Sequence, residues 1–372
     1  MNVITFCPLQ VLCYVSGCMF QVFQLLYRTS HVSNSLISGI LIMMLSPWIA
    51  SSNAKNPDVK SKIGKTIISG FTQVQLQATN RQDAVPSTTF VVRRGRLHID
   101  AQLRKTLSMR LEFDGTTDGV ETSDLYLKYM IGRHVALQAG QLKKPFSYIR
   151  LRAARRLRII ERPLHIRKDF RGYLGRDVGL LLEWNPAEKL EFALGLFNGS
   201  GVEAKVDNNN AKDFAARLEL KQLGNLNLGM NISFHNVTEI VHNPQAVTNE
   251  KRFTAYGLDL TLNIGALNLV AEGLFADKPE IRSSAQMIGL YITGVYKREV
   301  SIYGIVAIEH GGRIEFKNSN DNMHDNEALC SVIPYIGLHF HSSARLQINP
   351  ILRFPQQGDA VLEFIAQTQI EF

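Results

Sequence analysis

The final stretch of the chain, Val361 to Phe372, reads VLEFIAQTQIEF and alternates between two kinds of side chain. One side is mostly apolar and carries Leu362, Phe364, Ala366, Thr368, Ile370 and Phe372. The other side carries Glu363, Gln367, Gln369 and Glu371. Because successive side chains of a β-strand point to opposite faces, this pattern predicts a strand with one face in water and the other in apolar surroundings.

The same alternation recurs along most of the chain. From Thr66 onward the pattern predicts sixteen strands, each about as long as a tilted strand that crosses a bilayer. They cover residues 66–77, 90–102, 105–114, 121–131, 134–142, 176–185, 188–198, 212–221, 226–236, 253–263, 266–276, 285–297, 299–310, 329–340, 343–354 and 361–372. Sustained helical periodicity is absent, and the only stretch compatible with a helix is a short one near Arg150–Ile160.

The lengths of the connections distinguish a soluble fold from a membrane fold. Every second connection is short, and these turns lie at or near Leu103-Arg104, Gly132-Arg133, Pro186-Ala187, Leu223-Gly224-Asn225, Ile264-Gly265, Arg298 and His341-Ser342. The connections between them are longer, so all the long loops lie at one end, which is typical of a bacterial outer-membrane barrel. We therefore predict an all-β fold, a transmembrane antiparallel β-barrel of about 16 strands, with apolar faces toward lipid and polar faces around a water-filled lumen.

The first part of the chain has a different character from the strands. Residues 1–54 are predicted to be a leader and residues 55–372 the barrel. The apolar run 36–49 is too short to span a bilayer as a helix but suits the core of a secretory signal, and Ser52-Asn53-Ala54 is a small-x-small cleavage site. A genuine N-terminal membrane helix is the alternative that stays open.

The start and the cysteines of this leader also affect the interpretation. A start at Met19 would give a more ordinary signal with Arg28 in its charged region, and residues 1–18 would then be an over-extension of the reading frame. Three of the four cysteines lie in the leader, so the mature chain would keep only Cys330 and could form no internal disulfide. Zinc-type spacing of ligands is absent too, and we expect no metal and no cofactor.

One connection is far longer and more basic than the rest. Residues 143–176, termed the basic segment, read KKPFSYIRLRAARRLRIIERPLHIRKDFRGYLGR, with twelve Lys or Arg against Glu161 and Asp169. The formal net charge of the whole chain is +8, so the positive charge is concentrated here, which favours a site and argues against general nucleic-acid binding. We predict that residues 143–175 fold into the lumen and make the narrowest part of the pore positive; the alternative is a basic surface loop against anionic lipid heads.

Arginine suits such a passage, because a guanidinium keeps its charge at physiological pH and offers paired donors to oxyanions. The predicted constriction and anion-binding residues are Arg150, Arg152, Arg155, Arg156, Arg158 and Arg162. A basic track on polar strand faces is predicted from Arg94, Arg96, Arg110, Lys128, Arg345 and Arg353. Lys143 and Lys144 begin the loop, and Pro145 ends the strand ladder there because it has no amide hydrogen. For each cation, a salt bridge to a wall carboxylate or an outward surface position is the alternative.

Five short motifs carry a resemblance to a known family. They are Arg93-Arg94-Gly95-Arg96-Leu97, Leu111-Glu112-Phe113-Asp114, Gly140-Gln141-Leu142-Lys143-Lys144-Pro145-Phe146-Ser147, Glu161-Arg162 and Gly175-Arg176-Asp177-Val178-Gly179. Together they resemble the phosphate-selective porin O and P family. The resemblance implies a sixteen-stranded outer-membrane porin, usually trimeric, whose long third loop folds into the pore and carries arginines that attract anions.

The chain departs from that family just after Pro-Phe-Ser. The family commonly has acidic and small hydroxyl residues there, whereas this chain has Tyr148-Ile149-Arg150 and Ala153-Ala154-Arg155-Arg156. Phosphate selectivity is therefore not transferred, although a preference for anions is favoured. The terminal Phe372 looks like the signal by which outer-membrane proteins are recognised for insertion, which implies the barrel-assembly machinery as a partner.

These observations predict a passive diffusion porin of the bacterial outer membrane, exported through a signal peptide and selective for anions. Phosphate or other small anions are the expected permeants; lipid, lipopolysaccharide and two further copies of the chain are the expected neighbours, and nucleic acid is not. The alternative is a barrel with a plugged lumen that acts as a binding or structural protein. A phosphate-binding Gly-x-x-x-x-Gly-Lys-Ser/Thr loop, His-Glu-x-x-His and Gly-x-Ser-x-Gly are all absent, so we predict no enzyme and no catalytic residues.

Overall fold

The computed structural model describes residues 64–81, 86–116, 119–202, 207, 209, 211–239, 249–279, 285–320, 329–356 and 358–372. The predicted leader, residues 1–54, and the alternative start at Met19 lie outside these ranges. Among the helices within these ranges, none combines the length and the apolar character needed to cross a bilayer.

The described residues form one closed antiparallel barrel of sixteen strands. The strands are β1 (Thr66–Thr79), β2 (Thr88–Arg104), β3 (Leu107–Thr116), β4 (Gly119–Ile131), β5 (Val135–Lys143), β6 (Arg176–Ala187), β7 (Leu190–Phe197), β8 (Asp213–Leu223), β9 (Leu226–Glu239), β10 (Asn249–Ile264), β11 (Leu267–Asp277), β12 (Gln286–Ile302), β13 (Ile305–Asn320), β14 (Leu329–His341), β15 (Ala344–Pro355) and β16 (Val361–Glu371). Each strand pairs with its neighbours in sequence, and β1 pairs with β16 to close the wall. The predicted all-β antiparallel barrel and its number of strands are confirmed.

The wall is apolar on its exposed face and polar on its shielded face. On β16, Leu362 and Ile370 are 49% and 62% exposed, whereas Gln367 and Gln369 are 2% and 1% exposed. In water, apolar surface costs about 25 cal/mol per Å², so a whole wall of such side chains is stable only where lipid covers it. The predicted orientation of the strand faces is therefore confirmed.

One predicted turn is wrong. The sequence was expected to turn at Arg298, but Arg298 pairs with Ile308 inside the β12–β13 ladder, and the turn lies five residues later at Tyr303-Gly304. Both turn residues have positive φ, 49° and 81°, as a two-residue hairpin turn requires. The charged run around Arg298 resembles a turn in sequence because these strands continue beyond the apolar band into water, where charged side chains are stable.

The basic segment contains only short helices. They are α1 (Tyr148–Leu151), a 3₁₀ turn (Ala154–Arg156), α2 (Leu164–Arg167) and α3 (Arg171–Leu174). The single helix considered near Arg150–Ile160 is therefore replaced by α1 and the 3₁₀ turn, which are separated by extended backbone at Arg152 and Ala153. Hydrogen bonds within such short helices stabilise little by themselves, so the position of the segment depends on its contacts with the wall.

Candidate functional site: an arginine-lined passage

Lys144 anchors the beginning of the basic segment. Its ammonium donates to Asp213 Oδ2 at 2.5 Å and to the carbonyl of Gly172 at 3.1 Å, and it lies 3.4 Å from Asp177 Oδ2. The amide of Lys144 also donates to the carbonyl of Gly175 at 3.1 Å. The chain therefore leaves the wall and returns to it at the same place.

We expect Lys144→Met to destabilise the protein by about 3–5 kcal/mol, because it leaves Asp177 and Asp213 buried without their cation. The free energy of unfolding in urea, measured on detergent-solubilised protein, checks this. Lys128→Met is the matched control: its ion pair with Glu183 is partly solvated, so its loss should cost less than about 1 kcal/mol. Equal losses in the two variants would contradict an anchoring role for Lys144.

Two apolar clusters hold the basic segment against the shielded face of the wall. In the first, Phe146, Ile166, Phe170, Tyr173 and Leu174 pack against side chains of β10, β11 and β12, namely Phe253, Ala255, Leu274, Ala276 and Met287. In the second, Ile159 and Ile160 pack against β12, β14, β15 and β16 through Val295, Ile333, Tyr335, Ile351 and Ile365. These wall residues are apolar exceptions on a polar face, and the segment covers them.

Backbone groups of residues 155–160 bond to polar side chains of β15. Gln347 Nε2 donates to the carbonyls of Leu157 and Arg158 at 3.1 and 2.5 Å, and Asn349 Oδ1 accepts from the amide of Ile160 at 2.9 Å. Arg345 donates to the carbonyls of Arg155 and Leu157 at 2.6 and 3.0 Å. Side chains of the wall thus satisfy main-chain groups of the basic segment that would otherwise need a neighbouring strand as their hydrogen-bond partner.

Gln347 is itself held by a chain of glutamines that crosses the closure of the barrel. Gln77 donates to Gln75, Gln75 donates to Gln367, and Gln367 donates to Gln347, over distances of 2.7, 2.7 and 2.9 Å. The chain runs from β1 through β16 to β15 and ends on the carbonyls of Leu157 and Arg158. We term it the glutamine chain.

The beginning of α1 is fixed by a different strand of the wall. The Glu272 carboxylate, on β11, accepts from the amides of Tyr148 and Ile149 at 2.8 and 3.4 Å. A carboxylate at the first amides of a helix satisfies donors that have no partner within the helix. With Lys144 bonded to Asp213 on β8 and Gln347 on β15 bonded to the carbonyls of Leu157 and Arg158, the basic segment contacts strands that lie far apart around the barrel.

A cavity of about 530 Å³ lies between the basic segment and the wall. Its charged lining consists of eight cations, Arg93, Arg94, Arg150, Arg162, Arg167, Lys168, Arg171 and Arg176, and one carboxylate, Glu161. Gln73, Gln75 and Gln367 complete the polar part of the lining. We term it the larger cavity.

Some of these cations are neutralised and others are not. Glu161 accepts from Arg93 Nε at 3.0 Å and from Arg167 Nη1 at 3.3 Å. Arg176 donates to Glu112 Oε1 at 2.8 Å and to Asp124. In contrast, Arg150 Nε donates to the carbonyl of Leu174, and Arg162 donates to the carbonyls of Ile149 and Arg152. Backbone carbonyls satisfy donors without cancelling charge, so the larger cavity keeps an excess of positive charge.

The pKa values of these groups agree with that excess. Burial, reinforced by repulsion from Arg176 and Arg96, lowers the pKa of Arg150 to about 10. Burial and the neighbouring Arg150 and Arg94 also lower the pKa of Arg162 well below its ordinary value. Burial raises the pKa of Glu161, but Arg93 and Arg167 more than offset it, so the net shift is downward and the carboxylate is charged at neutral pH.

A second cavity of about 280 Å³, termed the smaller cavity, lies beside the first. Its cations are Arg152, Arg156, Arg158 and Arg313, and its lining holds no Asp or Glu. Tyr148, Tyr291, Ile149, Ile159 and Val270 contribute aromatic and aliphatic surface. Leu157 is part of the lining of both cavities.

The predicted constriction residues are divided between these cavities. Arg150 and Arg162 line the larger one, and Arg152, Arg156 and Arg158 line the smaller one. Arg155 lines neither; its Nη1 lies 2.9 Å from Glu371 Oε2 on β16. The role of these six arginines in permeation stays a prediction.

The predicted basic track is largely paired with acidic residues of the wall. Arg94 and Arg96 contact Asp114, Arg110 contacts Asp100, Lys128 contacts Glu183, and Arg353 contacts Glu363. Arg345 bonds to carbonyls of the basic segment, and so does Lys143, whose Nζ donates to Leu151 at 3.1 Å. Of the track, Arg94 is the member that lines the larger cavity.

Five cations of the larger cavity were not singled out from the sequence: Arg93, Arg167, Lys168, Arg171 and Arg176. Arg93 reaches it because the β1–β2 register shifts at Gln73/Val74, which inserts an extra residue and lets Arg93 and Arg94 both leave the lipid face. The sequence did contain a signal for this shift of register, because Arg93 and Arg94 are adjacent in a membrane strand. Strict alternation of the side chains would place one of the two arginines in lipid.

Comparison with known proteins identifies the family of the chain and similar folds. The sequence matches the family "Phosphate-selective porin O and P" over residues 63–326. No curated protein sequence matches it significantly. The fold resembles an anion-selective porin from Comamonas acidovorans (TM-score 0.62, 10% identity, 83% of this chain and 99% of that one).

Two further solved structures have the same fold. One is the outer-membrane channel DcaP of Acinetobacter baumannii (TM-score 0.61, 12% identity, 83% of this chain and 97% of that one). The other is the trimer form of OmpT, an outer-membrane protein of Vibrio cholerae (TM-score 0.59, 11% identity, 84% of this chain and 100% of that one). Since the family match covers most of the sequence and the barrel has the lipid-facing wall of an outer-membrane protein, this chain belongs to the phosphate-selective porin O and P family.

Proposed function

We propose that this outer-membrane porin is a passive diffusion channel that prefers anions, and that residues 143–175 fold into its lumen to form the constriction. The observation that carries the proposal is the larger cavity, where eight cations accompany one carboxylate and where Arg150 and Arg162 bond to backbone carbonyls that leave their charge in place. Family and fold indicate a channel rather than an enzyme. The similar fold of a porin described as anion-selective adds support.

Contacts of the basic segment support a position inside the barrel. The segment bonds to Glu272 on β11, to Gln347 on β15, to Glu371 on β16 and to Arg93 on β2, all on the shielded face. A loop on the outside of the barrel could not contact strands on opposite sides of the wall. The alternative of a surface loop against lipid heads is therefore disfavoured.

Anion preference would come from charge that the wall does not cancel. Fixed cations in a narrow, low-dielectric passage raise the local concentration of anions and repel cations. Arg150 and Arg162 would attract the anion in the larger cavity, and Arg152 and Arg156 would receive it in the smaller one. Arg158 lines the same cavity, but its Nε lies 3.6 Å from Glu309 Oε1 on β13, so its charge is partly cancelled. Several weak contacts in series permit rapid exchange, whereas one tight site would trap the ion.

The assembled protein is proposed to be a homotrimer, as the OmpT structure in its trimer form is. Residues 1–54 would direct export and be removed, and Phe372 would serve insertion by the barrel-assembly machinery. Lipopolysaccharide would contact the exposed apolar face, and small anions such as phosphate would be the permeants.

Single-channel recordings in planar bilayers under a KCl gradient test the function. The expected result is steady open channels with a reversal potential of the sign given by chloride permeation. A reversal potential of the opposite sign would contradict anion preference.

We expect Glu161→Gln to increase the chloride-to-potassium permeability ratio about two- to threefold, because it removes the carboxylate that neutralises Arg93 and Arg167. The reversal potential under a KCl gradient measures the ratio. Glu183→Gln is the matched control, since Glu183 pairs with Lys128 and lines neither cavity. An unchanged ratio in Glu161→Gln would place Glu161 outside the ion path.

A further inference from the structure

Neutral polar side chains form one edge of the smaller cavity. They are Asn263 near the end of β10, Asn268 on β11 and Thr293 on β12. Asn263 pairs with Asn268, and Thr293 pairs with Val270, which lies two residues from Asn268 on the same face of β11. Asn263 is exposed and the other two residues are half-buried, so all three present surface to the cavity. We term them the neutral edge.

The two asparagines of the neutral edge bond to each other and keep one donor and one acceptor free. Asn268 Nδ2 donates to Asn263 Oδ1 at 2.7 Å. Among the described residues, no other side chain or backbone group bonds to these two amides, so the Asn263 amino group and the Asn268 carbonyl oxygen remain available to a solute. Turning both amides around exchanges the two roles and leaves the same pair of free groups. The Thr293 hydroxyl adds a group that both donates and accepts.

Guanidinium groups form the charged part of the same cavity. Arg152 and Arg156 are exposed, and within the described part of the chain neither has a carboxylate partner. The Arg152 guanidinium lies over the Tyr148 ring, with 4.7 Å between its Cζ and the ring centroid, and it donates to the Tyr148 hydroxyl. This contact positions the guanidinium without cancelling its charge.

Hydroxyl groups match the neutral edge better than oxyanion oxygens do. Chloride and an unsubstituted carboxylate only accept hydrogen bonds, so neither can satisfy the free carbonyl of the asparagine pair. A carbonyl that loses its water and gains no partner is destabilised. A hydroxyl donates and accepts at once, so a solute with several hydroxyl groups can replace the water on the carbonyl, the amino group and the Thr293 hydroxyl together.

The volume of the smaller cavity accommodates such a solute. It is about 280 Å³, which equals roughly nine waters of about 30 Å³ each. A chain of about six carbon atoms with one carboxylate and several hydroxyl groups fits this space together with part of its water. Because the guanidinium groups and the neutral edge line one cavity, the two ends of the solute can be bound at the same time.

We propose that the smaller cavity selects hydroxylated carboxylates, such as the aldonic acids derived from sugars, over carboxylates of equal charge that lack hydroxyl groups. Arg152 and Arg156 hold the carboxylate, and the neutral edge replaces water around the hydroxyl groups. This inference rests on the proposed function, because it specifies which anions the same passage conducts best.

Permeability ratios under bi-ionic conditions test the proposal, with gluconate and hexanoate as the probes. The two anions have the same number of carbon atoms and the same charge, but only gluconate carries hydroxyl groups. In free solution the heavier gluconate diffuses more slowly, so a simple aqueous pore gives a gluconate-to-hexanoate ratio below one. We expect the wild-type ratio to lie at least about threefold above the aqueous value, which one additional hydrogen bond is enough to give. A wild-type ratio that follows aqueous mobility would overturn the proposal.

Replacing both asparagines locates the effect. Asn263→Leu together with Asn268→Leu removes the free donor and acceptor but no charge. The gluconate-to-hexanoate ratio should return to the aqueous value, while the chloride-to-potassium ratio should stay unchanged. Asn227→Leu is the matched control, because Asn227 lies on the neighbouring strand β9 and lines neither cavity, so this variant should keep the raised ratio. A raised ratio that persists in the double leucine variant would contradict the role of the neutral edge and overturn the proposal.

Thr293→Val provides a second test that keeps the shape of the side chain and removes only the hydroxyl. It is expected to lower the gluconate-to-hexanoate ratio about twofold. Heat-dependent gel migration shows whether each variant forms a barrel. If the double leucine variant does not fold, Thr293→Val decides alone, and an unchanged ratio in it would overturn the proposal.

A KCl gradient on the same channels separates this inference from the proposed function. Chloride preference together with an aqueous gluconate-to-hexanoate ratio would overturn the inference alone. Absence of chloride preference would overturn the proposed function and the inference with it.

Discussion

Replacing Arg150 and Arg162 together by glutamate is expected to abolish the anion preference. Both guanidinium groups line the larger cavity and bond to backbone carbonyls, so their charge is not neutralised there. Each exchange turns a positive charge into a negative one, and a charge pair about 4 Å apart is worth roughly 1 kcal/mol even in water. The chloride-to-potassium permeability ratio, measured from the reversal potential, should fall by at least about tenfold.

Two further variants separate charge from the structure of the segment. Arg150→Lys with Arg162→Lys keeps both charges but loses the planar guanidinium donors, so it should retain most of the selectivity. Arg155→Glu reverses a charge that contacts Glu371 and lines neither cavity, so its effect should be small. A loss in Arg155→Glu as large as in the double glutamate variant would contradict the assignment of the ion path.

Deleting residues 146–174 is expected to raise the single-channel conductance several-fold and to remove most of the anion preference. The amide of Lys144 donates to the carbonyl of Gly175, so the two ends are adjacent and a short Gly-Ser linker can join them. Without the segment, the lumen of a sixteen-stranded barrel would be wide and filled with water. Conductance and reversal potential of the same channels check both effects.

The same deletion distinguishes the diffusion channel from the plugged barrel. A closed wild type that opens on deletion would support the binding or structural alternative. Equal conductance in the two proteins would mean that the segment does not narrow the lumen. Far-UV circular dichroism and heat-dependent gel migration confirm that the variant still forms a barrel, since deletion uncovers Phe253, Leu274 and Met287.

The fold could be predicted from the sequence because lipid imposes a local rule. One face of every strand must be apolar, and short turns must alternate with long loops. The two-residue period of apolar side chains and the lengths of the connections can therefore be read directly from the sequence. The prediction failed at β12, where strands continue into water and charged residues such as Arg298 no longer mark a turn. Gly304, with positive φ, was the better signal.

The site was less predictable because it depends on pairing between distant residues. The sequence shows that Arg155 is basic, but not that it meets Glu371, more than two hundred positions away. Arg93 reaches the larger cavity only through a local shift of register, which alternation cannot reveal. The density of arginine in the basic segment was visible, whereas the carboxylates that neutralise part of the basic track lie on strands scattered along the chain.

The glutamine chain has a consequence for biogenesis. Gln75 belongs to the first strand to be synthesised and Gln367 to the last, so their bond forms only when the cylinder is sealed. Gln347, which holds the carbonyls of Leu157 and Arg158, is oriented by that bond. The orientation of Gln347 toward the basic segment would therefore be completed in the final step of insertion, after the contacts of Lys144 with Asp213 and Asp177 can already have formed.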